Sequence, residues 1–223
     1  MNSETQSDSD TSSPARTSSL RSPSILILLG LAVLALVIVL IGPGSSDDHS
    51  AIGKPAPELD LVQLISASDA EVSADPPEDL ITLTGEPVAG KVTVLHFWGT
   101  WCPPCLAEYP QLVDMLKQKS SAVNLQFVSV SCESDPSETY PGLRRKTLRY
   151  YEEIQAAGLP TYADAEGKTR ARVVSTLGNP SMAYPTTLVI GPDQRIAGVW
   201  EGYSQASLAQ MESLIDQLLS AAG

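Results

Sequence analysis

Cysteine is scarce in this chain, and so is positive charge. Three cysteines in 223 residues are too few to staple a small disulfide scaffold; one pair plus one spare fits an extracytoplasmic redox protein better. Fourteen Lys and Arg stand against 26 Asp and Glu, a net charge of −12, which argues against nucleic acid as a partner. The shortage of base is uneven. Residues 45–90 hold ten acids and one base, Lys54, whereas residues 91–223 hold 13 acids and 11 bases. The acidic stretch reads as a solvated, partly flexible tether. No internal repeat is visible.

Long apolar runs are also few, and the one present is informative. Ile25–Ile41 is apolar throughout its 17 residues except for Gly30. With Ser24 and Gly42 it reaches the roughly 20 residues that cross a bilayer core. Arg16 and Arg21 precede it and Asp47 and Asp48 follow, so the positive-inside rule puts the N-terminus in the cytoplasm. No Ala-x-Ala-like site follows, Gly42-Pro43-Gly44 is a poor substitute, and no cysteine stands there to carry a lipid. An uncleaved anchor is expected rather than a signal peptide. The expected division is a disordered cytoplasmic tail at 1–23, a transmembrane anchor in the lipid bilayer at 24–42, a linker at 43–50 and one extracytoplasmic domain at 51–223. The last is long enough for a proper core. The expectation is therefore a single-pass protein of the cytoplasmic (inner) membrane with a periplasmic domain.

Within that domain, Trp101-Cys102-Pro103-Pro104-Cys105 follows an apolar run (Val92, Val94, Leu95, Phe97, Trp98) that reads as a buried strand. Two thiols at this spacing can close a small disulfide ring or bind a soft metal. A strand leading straight into a helix at the first cysteine is the layout of a thioredoxin-type redox site. The two prolines suit the first helical turn, whose N–H groups have no intrahelical partner to lose. Cys102 then caps the helix, where the dipole stabilises a thiolate, and becomes the nucleophile. Cys105, one turn inside, becomes the resolving thiol. A cuprous site needs further soft ligands, and only His49, His96, Cys132 and four methionines are on offer.

Around this motif the periodicity predicts an α/β sandwich. Val92–Trp98 is apolar on both alternations, as in an inner strand. Cys102 to about Lys119 reads as a helix with Leu106, Tyr109, Leu112, Val113 and Leu116 on one face and a kink at Pro110. Leu125–Val130 completes a parallel strand–helix–strand unit. A second helix is expected over Leu143–Ala157, opened by Pro141-Gly142, and a short strand over Thr161–Ala163. Thr186–Ile190 and Arg195–Trp200 flank Gly191-Pro192-Asp193-Gln194 as an antiparallel hairpin. A last helix begins near Ser204–Ser207, where Ser207 and Gln210 have capping-box spacing. It buries Leu208, Met211, Leu214, Ile215 and Leu218.

Phe97-Trp98-Gly99-Thr100-Trp101-Cys102-Pro103-Pro104-Cys105, then Glu108 and Pro110, resembles the signature of the membrane-anchored TlpA/ResA-type thioredoxins. Ile52-Gly53-Lys54-Pro55-Ala56-Pro57 is similar to that family's domain opening, Tyr184–Ile190 to its cis-proline loop and following strand, and Gly202-Tyr203 also fits. The resemblance weakens at 63–84, read as an acidic insertion, and at 133–150. It implies a thioredoxin-like fold, a central mixed sheet with helices on both faces. It also implies exchange with protein thiols and disulfides, with apocytochrome c as one such substrate and a membrane electron-donor thiol protein as reductant. No cofactor or metal beyond the Cys102–Cys105 disulfide is called for. Pro185 is the expected cis-proline in preference to Pro160, and Tyr184 offers its backbone to a substrate strand. Trp101, Pro103 and Pro104 add contact surface.

Three residues have two readings each. His96 stands where thioredoxins carry a buried Asp and TlpA/ResA-like chains often Asn. It is either a general base for Cys105 or a neutral core histidine. Glu108, three residues after Cys105, either adjusts the acidity of the thiols, as in the resembling family, or is an exposed helix-surface glutamate. Cys132 is either a third redox thiol near the sheet edge or a buried spectator. A thiol peroxidase is the remaining enzymatic alternative, but it wants a threonine three residues before the nucleophile, and Thr100 is two before.

Overall fold

The computed structural model describes residues 49–66, 82–119, 121–155 and 159–221. The tail at 1–23, the anchor at 24–42 and most of the linker lie outside the described residues, as do residues 67–81 of the acidic stretch. Among the described residues no helix is long and apolar enough to cross a membrane. The elements are β1 (Leu59–Ile65), β2 (Thr82–Gly85), β3 (Val92–Trp98), α1 (Pro103–Gln118), β4 (Leu125–Ser131), α2 (Tyr140–Glu153), β5 (Thr161–Ala163), α3 (Lys168–Leu177), β6 (Thr186–Ile190), β7 (Ile196–Glu201) and α4 (Gln205–Ala221).

All seven residues of β3 are buried, because the strand is interior to a seven-stranded sheet of order β2-β1-β5-β4-β3-β6-β7. It runs parallel to β4 and antiparallel to β6, so the sheet is mixed. Alternation sends Leu95 and Phe97 into one core layer with Val173 and Leu177 of α3. Val92, Val94 and Trp98 go to the other face, under α1, α2 and α4. Helices thus cover both faces, and the expected thioredoxin-like sandwich is the fold observed.

The differences from expectation lie at element ends, at one helix, and at β1 and β2, two strands the sequence reading did not mark. α2 starts at Tyr140, capped by the Thr139 side chain, so Pro141 and Gly142 sit inside its first turn rather than before it; it ends at Glu153. Ser204, not Ser207, caps α4: its hydroxyl accepts from the Ser207 N–H at 3.0 Å. α3 has no counterpart among the expected elements. It opens after Gly167, which is left-handed at φ 68° and brings no side-chain cap. Its first N–H groups are taken instead by Asp164, which accepts from Thr169 at 3.2 Å and Arg170 at 2.8 Å. The usual start signal is therefore displaced upstream. Within the stretch read as an insertion, residues 63–65 finish β1 and residues 82–84 lie in β2, which pairs with β1.

Candidate active site

Where β3 ends, Gly99–Trp101 turns the chain into α1, and the Cys102 N–H donates to the Gly99 carbonyl at 3.1 Å. Cys102 is the N-cap, and its sulfur accepts from the Cys105 N–H at 3.3 Å. Pro103 and Pro104 fill the first two helical positions, exposed and with no N–H to lose. Cys102 and Cys105 are joined as a disulfide with their Cα atoms 5.2 Å apart. Cys102 retains 3% of its surface and Cys105 none, the order expected of attacking and resolving sulfurs.

Two other segments close on this pair. Thr186 pairs with Phe97 at the end of β3, which brings the Tyr184–Pro185 peptide, cis as expected, to the same sheet edge. The Pro185 carbonyl accepts from the Gly202 N–H at 2.7 Å. Gly202 has φ 82°, a left-handed backbone that favours glycine. From the other side Cys132, one residue past β4, donates its N–H to the Trp98 carbonyl at 2.7 Å. Trp101 is 42% exposed. Its indole N–H donates to the Cys132 carbonyl at 3.0 Å, and its ring meets Tyr184 edge-on at 5.1 Å. A methyl group on Gly99 would stand 2.4 Å from that indole nitrogen, so glycine here is what lets the ring lie down.

Burial sets the acid–base state of the side chains. His96 is fully buried; Nδ1 bonds the Thr187 hydroxyl at 2.8 Å, and Nε2 has no hydrogen-bond partner among the described residues. Desolvation pulls its pKa down to about 3, so the ring is neutral. Glu108 is buried rather than exposed, with Oε2 unpartnered, and desolvation pushes its carboxyl up to about 7. Cys132 is buried too, and burial pushes its thiol up to about 12, which keeps it protonated. Its sulfur donates to the Val130 carbonyl at 3.7 Å.

The structure thus gathers Cys102, Cys105, Trp101, Pro103, Pro104, Tyr184 and Pro185 around one sheet edge and the first turn of one helix, with Glu108 a turn further along that helix and His96 inside β3 against Thr187 and Tyr109. Sequence reasoning missed the hydroxyl network below them. The Trp98 indole donates to Ser129 Oγ at 2.9 Å, the Tyr109 hydroxyl meets the same oxygen at 3.0 Å, and Tyr109, Tyr151 and Thr161 continue the chain of hydrogen bonds. Each of these residues looks like an ordinary core position by itself. Gly99 and Thr187 were likewise unmarked, although Gly99 lies inside the signature segment.

A mixed sheet with a disulfide-forming cysteine pair at a helix N-cap and a cis-proline loop beside it defines a thioredoxin-like protein. More particularly, the chain belongs to the AhpC/TSA family, whose model matches residues 52–199. It is similar to the thiol:disulfide interchange protein DsbE of Xylella fastidiosa, at 26% identity over 143 residues, 64% of this chain and 60% of that protein. The thiol-disulfide oxidoreductase ResA of Oceanobacillus iheyensis is 31% identical over 113 residues, 49% of this chain and 51% of its own. The matched part therefore spans about half to three-fifths of these relatives. A solved thiol:disulfide interchange protein of the thioredoxin family from Chlorobium tepidum shares the fold with a TM-score of 0.53 at 22% identity, over 76% of this chain and 99% of its own.

Proposed function

We propose that this protein is a thiol–disulfide oxidoreductase that acts on protein disulfides through the Cys102–Cys105 couple, as a reductant outside the cytoplasmic membrane. Residues 24–42 hold it in that membrane. The observation that carries the reading is the disulfide at the N-cap of α1 with the cis Tyr184–Pro185 peptide at the same sheet edge. In the reduced protein the Cys102 thiolate attacks one sulfur of a substrate disulfide and expels the other as a thiolate. Cys105 then attacks Cys102 and releases the second substrate sulfur. Two electrons pass to the substrate and the pair is left oxidised, to be reduced again by a membrane thiol protein. The couple is itself the redox group. The cysteines of apocytochrome c are the substrate the family resemblance favours.

The second step needs a proton acceptor for Cys105, and magnitudes choose between two candidates. Transfer to a neutral imidazole of pKa about 3 is less favourable than transfer to a carboxylate of pKa about 7 by roughly 5 kcal/mol, whatever the acidity of the thiol. Glu108 sits three residues on from Cys105 and so beside it on the helix. It is the acceptor in this reading, and His96 is a neutral strut that ties β3 to β6 through Thr187. Trp101, Pro103, Pro104, Tyr184 and Pro185 form the substrate face, with the Tyr184 backbone pairing to an extended peptide.

The test is turnover of a protein disulfide together with the potential of the couple. Cys102→Ser is expected to abolish reduction, and Cys105→Ser to trap a mixed disulfide. The potential should fall toward the thioredoxin end, roughly −270 mV; a value near −120 mV reverses the direction of electron flow.

A further inference from the structure

Four of the fourteen basic residues of this chain fall within one helix. Arg144, Arg145, Lys146 and Arg149 all lie in α2. Their situations differ. Arg144 is buried and donates to the Leu64 carbonyl, and Lys146 pairs with Glu138 at 2.6 Å. Arg149 is exposed and pairs with no acid among the described residues. It lines a cleft of about 210 Å³ between α1 and α2, together with Thr100, Leu106, Lys146, Tyr150 and Glu153. Thr100 lies two residues before Cys102 and Leu106 directly follows Cys105, so the cleft opens alongside the disulfide. The Tyr150 hydroxyl donates to the Leu106 carbonyl at 3.1 Å, which fixes α2 against the redox helix at this point.

We propose that this cleft receives an acidic side chain of the substrate polypeptide, close in its sequence to the cysteine under attack. The inference rests on the disulfide-exchange reading above and adds a specificity to it. An unpaired guanidinium offers a two-pronged donor that fits a carboxylate. Leu106 and Tyr150 supply apolar wall for the methylenes that carry it. Lys146 on the same side is already neutralised by Glu138, so Arg149 is the one lining cation among the described residues without an acidic partner. Residues 91–223, which carry the cleft, hold 13 acids and 11 bases, so long-range charge steering is weak there. The cleft therefore selects the position of an acid relative to the cysteine rather than the partner's overall charge.

The experiment uses the full chain and three disulfide-bonded peptides that differ only in the residue beside the attacked cysteine, Glu, Gln or Lys. The Glu peptide is expected to be reduced about three- to tenfold more efficiently than the Gln peptide at low salt, and the Lys peptide least efficiently. Arg149→Gln should bring the Glu-to-Gln ratio close to one. Arg145→Gln, exposed on the same helix but outside the cleft, should leave the ratio intact. Equal rates on the three peptides would overturn the proposal, as would equal loss of the ratio in both variants. A rise in turnover of the Glu peptide on Arg149→Gln would also overturn it, because an acid of this chain would then already hold the cleft. The same peptides with alanine for cysteine read binding without chemistry: tighter binding of the Glu peptide, lost in Arg149→Gln, supports the proposal, and equal affinities sink it. Absence of turnover on every peptide would instead count against the exchange reading.

Discussion

Glu108 and His96 are both buried, and burial moves them in opposite directions. Glu108 rises from an ordinary 4.5 to about 7. Its protonated form stabilises the fold fully below pH 4.5, and that contribution is lost as the pH rises through 7. Glu108→Gln is therefore expected to gain roughly 3 kcal/mol over the parent at pH 8 and little at pH 4. Urea melts of the oxidised protein at the two pH values check this. Resolution of the mixed disulfide should slow in the same variant. His96 falls from 6.5 to about 3, so its neutral ring contributes stability that is present above pH 6.5 and lost as the pH drops through 3. His96→Asn should flatten the stability–pH curve between those limits by about one proton and leave the pH profile of turnover unchanged. A profile that moves would return His96 to the proton path. Cys102 and Cys105 were legible from spacing alone, because a helix start is a local event. The acidity of Glu108 was not, since it depends on what covers the carboxyl.

The elements were legible where the chain announces them locally. β3, α1, β4, the β6–β7 hairpin and the buried stripe of α4 follow from apolar period and turn residues, and β5 sits at Thr161–Ala163 as read. α3 was missed because its cap comes from Asp164, behind a left-handed glycine, rather than from the residue before the helix. α4 was placed correctly but assigned the wrong cap, since Ser204 and Ser207 both suit the role and only the bond between them decides. Ser204→Ala is expected to cost about 1 kcal/mol, and Ser207→Ala clearly less; thermal melts of the two variants measure the difference.

Over the whole molecule, the substrate face is assembled from segments far apart in sequence. Trp101 lies over Gly99, bonds the Cys132 carbonyl beyond β4 and packs on Tyr184 before β6. Gly99→Ala is expected to push the indole off this seat, with the disulfide still formed and kcat/KM for a protein disulfide several-fold lower. The check pairs that assay with Trp fluorescence of the oxidised protein; an unchanged spectrum with unchanged turnover would show that the seat does not matter.

The sequence by itself determined the cysteine pair, its position at a helix start and the proline loop that would face it. The first two are written in short-range spacing and capping, and the third follows from the family resemblance of the Tyr184–Ile190 segment. Only the tertiary structure decided that burial pushes the Glu108 carboxyl up to about 7, that His96 is neutral, and that Arg149 lines a cleft beside the disulfide with no acidic partner among the described residues. Desolvation and juxtaposition are properties of the surroundings of a group, and those surroundings come from residues many tens of positions away.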